Sequence, residues 1–231
     1  MKNINEILFI VQVRLNSQRV PNKMIRNFAG TTLTDILLQK LVQCKNIPNH
    51  QIYLSAHEKE LIDIGNNYPI NIFERSYKSA NVDSGIDVMF EWYNKLPYKY
   101  VVLISGCNPF LKVETIDNFV DEYLKSSHDG MFGVIKKKEY FWNKGGELLN
   151  EWPKNQDLLN TKAVETTYQA AHCLYGSLME SIGYGRWCGS WIRKNDPVLY
   201  PMDEFEAFDI DYEWEFKTGE LLYNEKYNKK S

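Results

Sequence analysis

Arg14, Asn16, Ser17, Arg19 and Lys23 fall within ten residues of one another, in the run RLNSQRVPNK. Three cations, two small hydrogen-bonding side chains and the loop-forcing Pro21 make a cradle for a polyphosphate. A guanidinium presents a planar fork to two phosphate oxygens, and an ammonium adds a point charge. The spacing is neither G-x-x-x-x-G-K-[ST] nor G-x-G-x-x-G, so this is not a P-loop or a dinucleotide fingerprint. A basic loop of this kind is also compatible with a plain solvated face. Near the other end of the chain, Asp209 and Asp211 alternate in FDIDYEWEF. Alternate residues of an extended segment share a side and neighbours do not, and carboxylates near a triphosphate are hard oxygen ligands for Mg2+. An acidic pair of this kind is also compatible with a plain capping motif.

These groups need a scaffold that brings residue 14 and residue 211 to one place. Ile7–Val13 is a short run of apolar and β-branched residues ending at the basic loop, which reads as a buried parallel strand. Ligands of open α/β sheets bind beyond the carboxyl ends of the strands. Further strands are expected at 51–55, 70–73, 100–105, 130–135, 168–178 and within 197–206. Helices are expected over Thr32–Cys44, His57–Asn66, Val113–Leu124 and Trp214–Leu222. Tyr100–Ser105 is apolar on both faces and should be central; Gly106 after it lets the backbone approach a ligand. Asp83 or Ser84 is expected to cap a helix with Ile86, Met89, Phe90 and Tyr93 inward. Phe141–Tyr168 loses helical period and carries Trp142 and Trp152, so it reads as a β-hairpin or arm.

The 231 residues suit one α/β domain, taken as residues 1–231 with the arm as an insertion. A formal charge of −3 argues against a nucleic-acid binder held by phosphate contacts. No apolar run approaches a membrane span. Met1–Glu6 is polar and leads straight into the first strand, unlike a secretory leader, and the four scattered cysteines suit a reducing compartment. A cytoplasmic location is expected.

The pattern R-x-x-S-x-R-x-P-x-K, the tract DVMFEWY, the central ISGCNPFLKVETID and the acidic FDIDYEWEF together resemble the cytidylyltransferases that make CMP-activated acidic sugars. These include the acylneuraminate, 3-deoxy-manno-octulosonate and spore-coat polysaccharide members. The resemblance implies a nucleotide-diphospho-sugar-transferase (GT-A-like) α/β fold, with a mostly parallel sheet, helices on both faces and a β-rich dimerisation arm. It implies transfer of CMP from CTP to an acidic sugar, such as a sialic, legionaminic or pseudaminic acid, with Mg2+ as cofactor and a homodimer as the working unit. It implies that Arg14 and Lys23, with Asn16, Ser17 and Arg19, hold the nucleotide phosphates, and that Ser84, Ser105 and Gly106 line the nucleotide pocket. It also implies that a metal carried with the triphosphate is held by Asp211, with Asp209 binding it directly, through water, or only holding the loop. Arg75 and His172 are expected to reach the acceptor. Two departures stand out. Cys107 takes the position of a metal-binding aspartate in some members, and a neutral thiol is a poor Mg2+ ligand. Ala170, Ala171 and His172 replace a glycine-alanine pair. The alternatives are a different acceptor (3-deoxy-manno-octulosonate, a phosphate or a phosphonate) and a relative that binds a nucleotide-sugar without catalysis.

Overall fold

A computed structural model describes residues 1–82 and 84–228. Seven strands form one sheet: β1 (Ile7–Gln12), β2 (Ile52–Ala56), β3 (Asn71–Glu74), β4 (Tyr100–Ile104), β5 (Met131–Lys137), β6 (Thr167–Leu178) and β7 (Val198–Met202). Their order is β3-β2-β1-β4-β6-β5-β7. All pairings are parallel except those of β6, which runs antiparallel to both β4 and β5. The helices are α1 (Leu33–Leu41), α2 (Lys59–Gly65), α3 (Tyr77–Asn81), α4 (Ile86–Met89), α5 (Val113–Lys125), α6 (Glu180–Gly183) and α7 (Glu213–Tyr223). The expected mostly parallel α/β architecture is therefore present. None of the described helices is long and apolar enough to cross a membrane.

β1 explains why the sheet is covered on both sides. Ile7, Phe9 and Val11 join the larger core beneath α1, α5 and α7, whereas Leu8 and Ile10 enter a second core with Phe90, Trp92 and Ile182. A strand buried on both faces needs a continuous apolar run, which residues 7–11 supply. The period of α5 is equally direct: Ile116, Phe119, Val120 and Tyr123 are its buried residues.

One helix departs from expectation. The segment after β3 does not form a long helix with Met89 inward. α4 ends at Phe90 (φ −107°, ψ 40°), a 3-10 turn follows at Glu91–Asn94, and Met89 is exposed. The break turns Trp92 fully inward, where its Nε1–H donates to Gln12 Oε1 at 2.8 Å. Burial of an indole with its N–H satisfied outweighs continuation of one helical turn. Gly85, not Ser84, occupies the N-cap position of α4, and Asp83 lies outside the described residues.

The segment between β5 and β6 leaves the sheet at the carboxyl-end edge of the parallel strands. Trp142 and Leu148 form one antiparallel bridge there, and Tyr140 packs against Trp142 and Trp152. β5 extends into the run Lys136–Lys138, through Lys136 and Lys137, and Lys137 pairs with Glu204.

Close packing at the sheet gives a testable consequence. A Cβ at Gly176 on β6 would sit 2.8–3.0 Å from the Tyr123 ring, which is buried and anchored by its hydroxyl donating to Asp129 O at 2.7 Å. Gly176→Ala should cost about 1–3 kcal/mol, as overpacking does. At this chain length that lowers Tm by roughly 2–10 °C, read by a thermal melt; an unchanged Tm would show that Tyr123 moves freely.

Candidate active site

The carboxyl ends of β1 and β4, the loop after β1 and the segment entering α7 enclose a cavity of about 640 Å3. Arg14, Asn16, Ser17, Arg19, Lys23 and Asp211 all line it, so most of the charged and polar site groups read from sequence meet in space. Gln12, Gln18, Asn81 and Cys107 join them. The loop is locally held: Leu15 N–H donates to Glu58 Oε1 at 3.1 Å and Val20 N–H to Ser17 Oγ at 3.4 Å, while Asn22 adopts φ 55°.

The far end of the chain is tied to this loop by several bonds. Ile210 N–H donates to Cys107 O at 3.0 Å. Lys23 Nζ donates to Ile210 O at 2.6 Å and lies 3.4 Å from Asp211 Oδ1, and Arg19 Nη2 lies 2.9 Å from Asp211 Oδ2. Arg26 grips Glu213 with two bonds of 2.8 Å. Glu213 therefore serves an ion pair as well as the helix dipole. Glu215 receives the N–H groups of Asp211 and Tyr212 at the start of α7 (2.7 and 2.8 Å), which fixes Asp211 at the rim.

Electrostatics sort these groups. Burial opposes the charge on Lys23, but Cys107 and the carboxylates of Asp211 and Asp209 hold its pKa above the ordinary value. Burial raises the Cys107 thiol more than Lys23 lowers it. Asp209 is pushed up to about 6, first by burial and then by repulsion from Asp211, against the pull of Lys23. Its Oδ1 is buried and has no hydrogen-bond partner among the described residues. A buried, unpartnered carboxylate oxygen beside a second carboxylate fits a hard divalent cation, which would relieve both burial and repulsion. Asp211 lines the cavity and Asp209 does not; residues two apart share a side of a regular strand, but 208–211 is irregular backbone and separates them.

A second cavity of about 360 Å3 adjoins the first. His172 and Ser105 line it, with Phe90, Leu103, Tyr175 and Trp187. Ser105 thus faces this aromatic-walled space and not the cationic one. His172 arrives there through a bulge in β6: between Phe132–Tyr175 and Val134–Ala170 the pairing shifts register, and His172 takes φ 52°. Bulges re-aim single side chains in this way.

Three expected site residues are placed elsewhere. Arg75 is only 5% exposed and donates inward, to Val13 O and Met89 O (3.4 Å each), to Ser79 Oγ (3.2 Å) and to Ser79 O. Burial, then the charge of Arg14, pushes its pKa down to about 10. It braces the strand end behind Arg14 and lines neither cavity. Gly106 is buried, and a Cβ there would lie 2.6 Å from Met24 Cε, so its smallness serves packing beneath the loop. Ser84 has a buried Oγ without a partner among the described residues and lines neither cavity. Sequence reading missed Gln12, Gln18, Asn81, Tyr175 and Trp187. Only Gln12 carried a local signal, as the one polar residue in ILFIVQV.

A cationic loop after β1, carboxylates from the last helix entry and a mixed 3-2-1-4-6-5-7 sheet define a nucleotide-binding α/β protein of the nucleotidyltransferase type. Residues 8–184 match the cytidylyltransferase family model, and the chain belongs to that family. It is 24% identical over 206 residues to the spore coat polysaccharide biosynthesis protein SpsF of Bacillus subtilis (strain 168), covering 88% of this chain and 76% of the relative. An uncharacterized protein of Methanocaldococcus jannaschii is 26% identical over 129 residues, 54% of this chain; the match spans half of that relative's length. Among solved structures, a CMP:2-keto-3-deoxy-manno-octonic acid synthetase complexed with CTP superposes with a TM-score of 0.67 at 10% identity, covering 96% of this chain and 99% of the other.

Proposed function

We propose that the chain transfers CMP from CTP to an acidic sugar, releasing pyrophosphate. The observation that carries this reading is the adjacency of two cavities of different chemistry. One is cationic with a carboxylate at its rim; the other is walled by Phe90, Tyr175 and Trp187, with His172 as its titratable group. The first suits a triphosphate, the second a sugar face stacked on aromatic rings. The acidic sugar is supported by the resemblance read from sequence and by the fold shared with the octonic acid synthetase, whose own ligand is CTP.

An acceptor hydroxyl approaching an α-phosphate meets strong repulsion, and charge builds on the leaving pyrophosphate. Catalysis is then mostly positioning and neutralisation. Arg14, Arg19 and Lys23 hold the β- and γ-phosphates, and Asn16 and Ser17 add loop hydrogen bonds. Asp211, with Asp209, would hold Mg2+, which supplies additional positive charge to the phosphates. We place a second copy of the chain at the arm, where Trp142, Trp152, Leu158 and Leu159 are exposed; sedimentation as a monomer at working concentration would argue against that contact. The reaction is placed in the cytoplasm, where CTP is made.

Incubation with CTP and Mg2+ and a panel of N-acetylneuraminate, legionaminate, pseudaminate and 3-deoxy-manno-octulosonate should release pyrophosphate with one of them, and UTP, ATP and GTP should be poor donors. A Cys107 thiol, and not a hard oxygen ligand, lining the phosphate cavity favours a second reading, a nucleotide-binding relative without turnover. That reading expects CTP to raise Tm while no acceptor gives pyrophosphate.

A further inference from the structure

We propose that Gln12 joins the two half-sites: its side-chain amide donates a hydrogen bond to the α-phosphoryl group where nucleotide and acceptor meet, and Trp92 fixes which way that amide faces. The inference rests on the CMP-transfer reading given above.

Alternation along β1 puts Leu8, Ile10 and Gln12 on one face. Leu8 and Ile10 are fully buried in the core that contains Trp92 and Phe90. Gln12 is the last residue of the stripe and stands at the carboxyl end of the strand, where α/β sheets bind ligands. Among the described residues it alone lines both cavities, the cationic one and the aromatic-walled one. A group bound in the first and a group bound in the second therefore meet beside it. In CMP transfer that meeting point is the α-phosphorus.

The orientation of the amide follows from chemistry. Trp92 is fully buried, and an indole N–H is a donor only, so its 2.8 Å partner on Gln12 must be the oxygen. The NH2 group is then turned away from Trp92. No acceptor for it occurs among the described residues, so both of its N–H groups remain to be used by a ligand. A preset donor aimed at a group whose charge grows during reaction is the kind that accelerates chemistry, because it needs no reorganisation. Gln12 is accordingly a catalytic residue in this scheme, and Trp92 a positioning residue that acts through it.

Gln12→Glu separates this role from a merely structural one. Glutamate keeps the shape and still accepts from Trp92, so a structural role predicts wild-type kinetics. The proposal predicts a fall in kcat of about 10²-fold, with Tm of the free protein unchanged, since the variant has lost its donor and sets a negative charge against the phosphoryl group. Trp92→Phe provides the second variant. It should lower kcat by roughly 10-fold, a smaller effect than loss of the donor itself, while KM for CTP stays near wild type, because the phosphate loop is intact. A loss of Tm without a loss of kcat in Trp92→Phe, or wild-type kcat in Gln12→Glu, would overturn the proposal. A readout independent of turnover is the side-chain NH2 signal of Gln12 in a 15N-labelled protein, assigned by its disappearance in Gln12→Glu. CTP should shift it and inorganic pyrophosphate, which lacks the α-phosphate, should not; no shift at saturating CTP counts against the inference alone. Wild-type protein that neither releases pyrophosphate nor responds to CTP would remove the functional reading, and this inference with it.

Discussion

Lys23→Ala is expected to lower kcat/KM for CTP by about 10²–10³-fold, the cost of losing one preorganised donor to a developing charge. Lys23 is the most enclosed cation of the loop, with its side chain 12% exposed against 53% for Arg19. A charge with little water around it acts on a phosphate with less screening than a surface charge does. Its ammonium also joins two parts of the site, bonding Ile210 O at 2.6 Å and reaching Asp211. Truncation leaves that carbonyl unpaired and leaves Arg19 as the cation on Asp211. Both kcat and KM should suffer, because on the proposed reading Lys23 would meet the phosphates in the ground state and in the transition state. Lys23→Arg should rescue poorly: a planar fork does not replace a point charge in a narrow place. Steady-state kinetics with CTP varied measures all of this, and kinetics equal to wild type would take Lys23 out of the site.

Asp211→Asn carries the second large effect. The substitution preserves shape and one acceptor oxygen but removes the charge that Arg19 and Lys23 share. It also removes the better-placed of the two carboxylates for a divalent cation, since Asp211 lines the cavity and Asp209 lies behind it. The expected result is a fall in kcat of about 10²-fold or more, with a higher Mg2+ concentration needed for half-maximal rate. Some activity should return as Mg2+ is raised, because on the proposed reading Asp209 and the triphosphate would remain as ligands. The stabilisation of the protein by CTP with Mg2+ should shrink, whereas CTP alone should bind as well or better once a repelling carboxylate is gone. A variant whose rate falls with an unchanged Mg2+ dependence would assign Asp211 to the ion pair with Arg19 and not to the metal.

Local patterns made much of this protein legible in its sequence. The apolar run of β1, the helical period of α5 and the spacing of three cations between Arg14 and Lys23 are properties of neighbouring residues, and in the fold they are a buried strand, an amphipathic helix and the lining of one cavity. The two-residue spacing of Asp209 and Asp211 did not separate them, since such residues share a side of a strand; the irregular backbone at 208–211 did, leaving Asp211 in the cavity. What the sequence could not decide was which polar groups face the ligand and which face the protein. Arg75 and Arg14 are the same residue type after parallel strands, yet Arg75 spends its donors on Val13 O, 62 residues away, and on Ser79 and Met89. His172 depends on a bulge that exists only through the pairing of β6 with β5. Trp92 turns inward because a buried site with a hydrogen-bond acceptor, 80 residues distant in the chain, is there to receive it. Burial and hydrogen-bond satisfaction are set by partners brought together by the sheet, so they were decided by the tertiary structure, and the two-cavity site with Gln12 at its junction was decided with them.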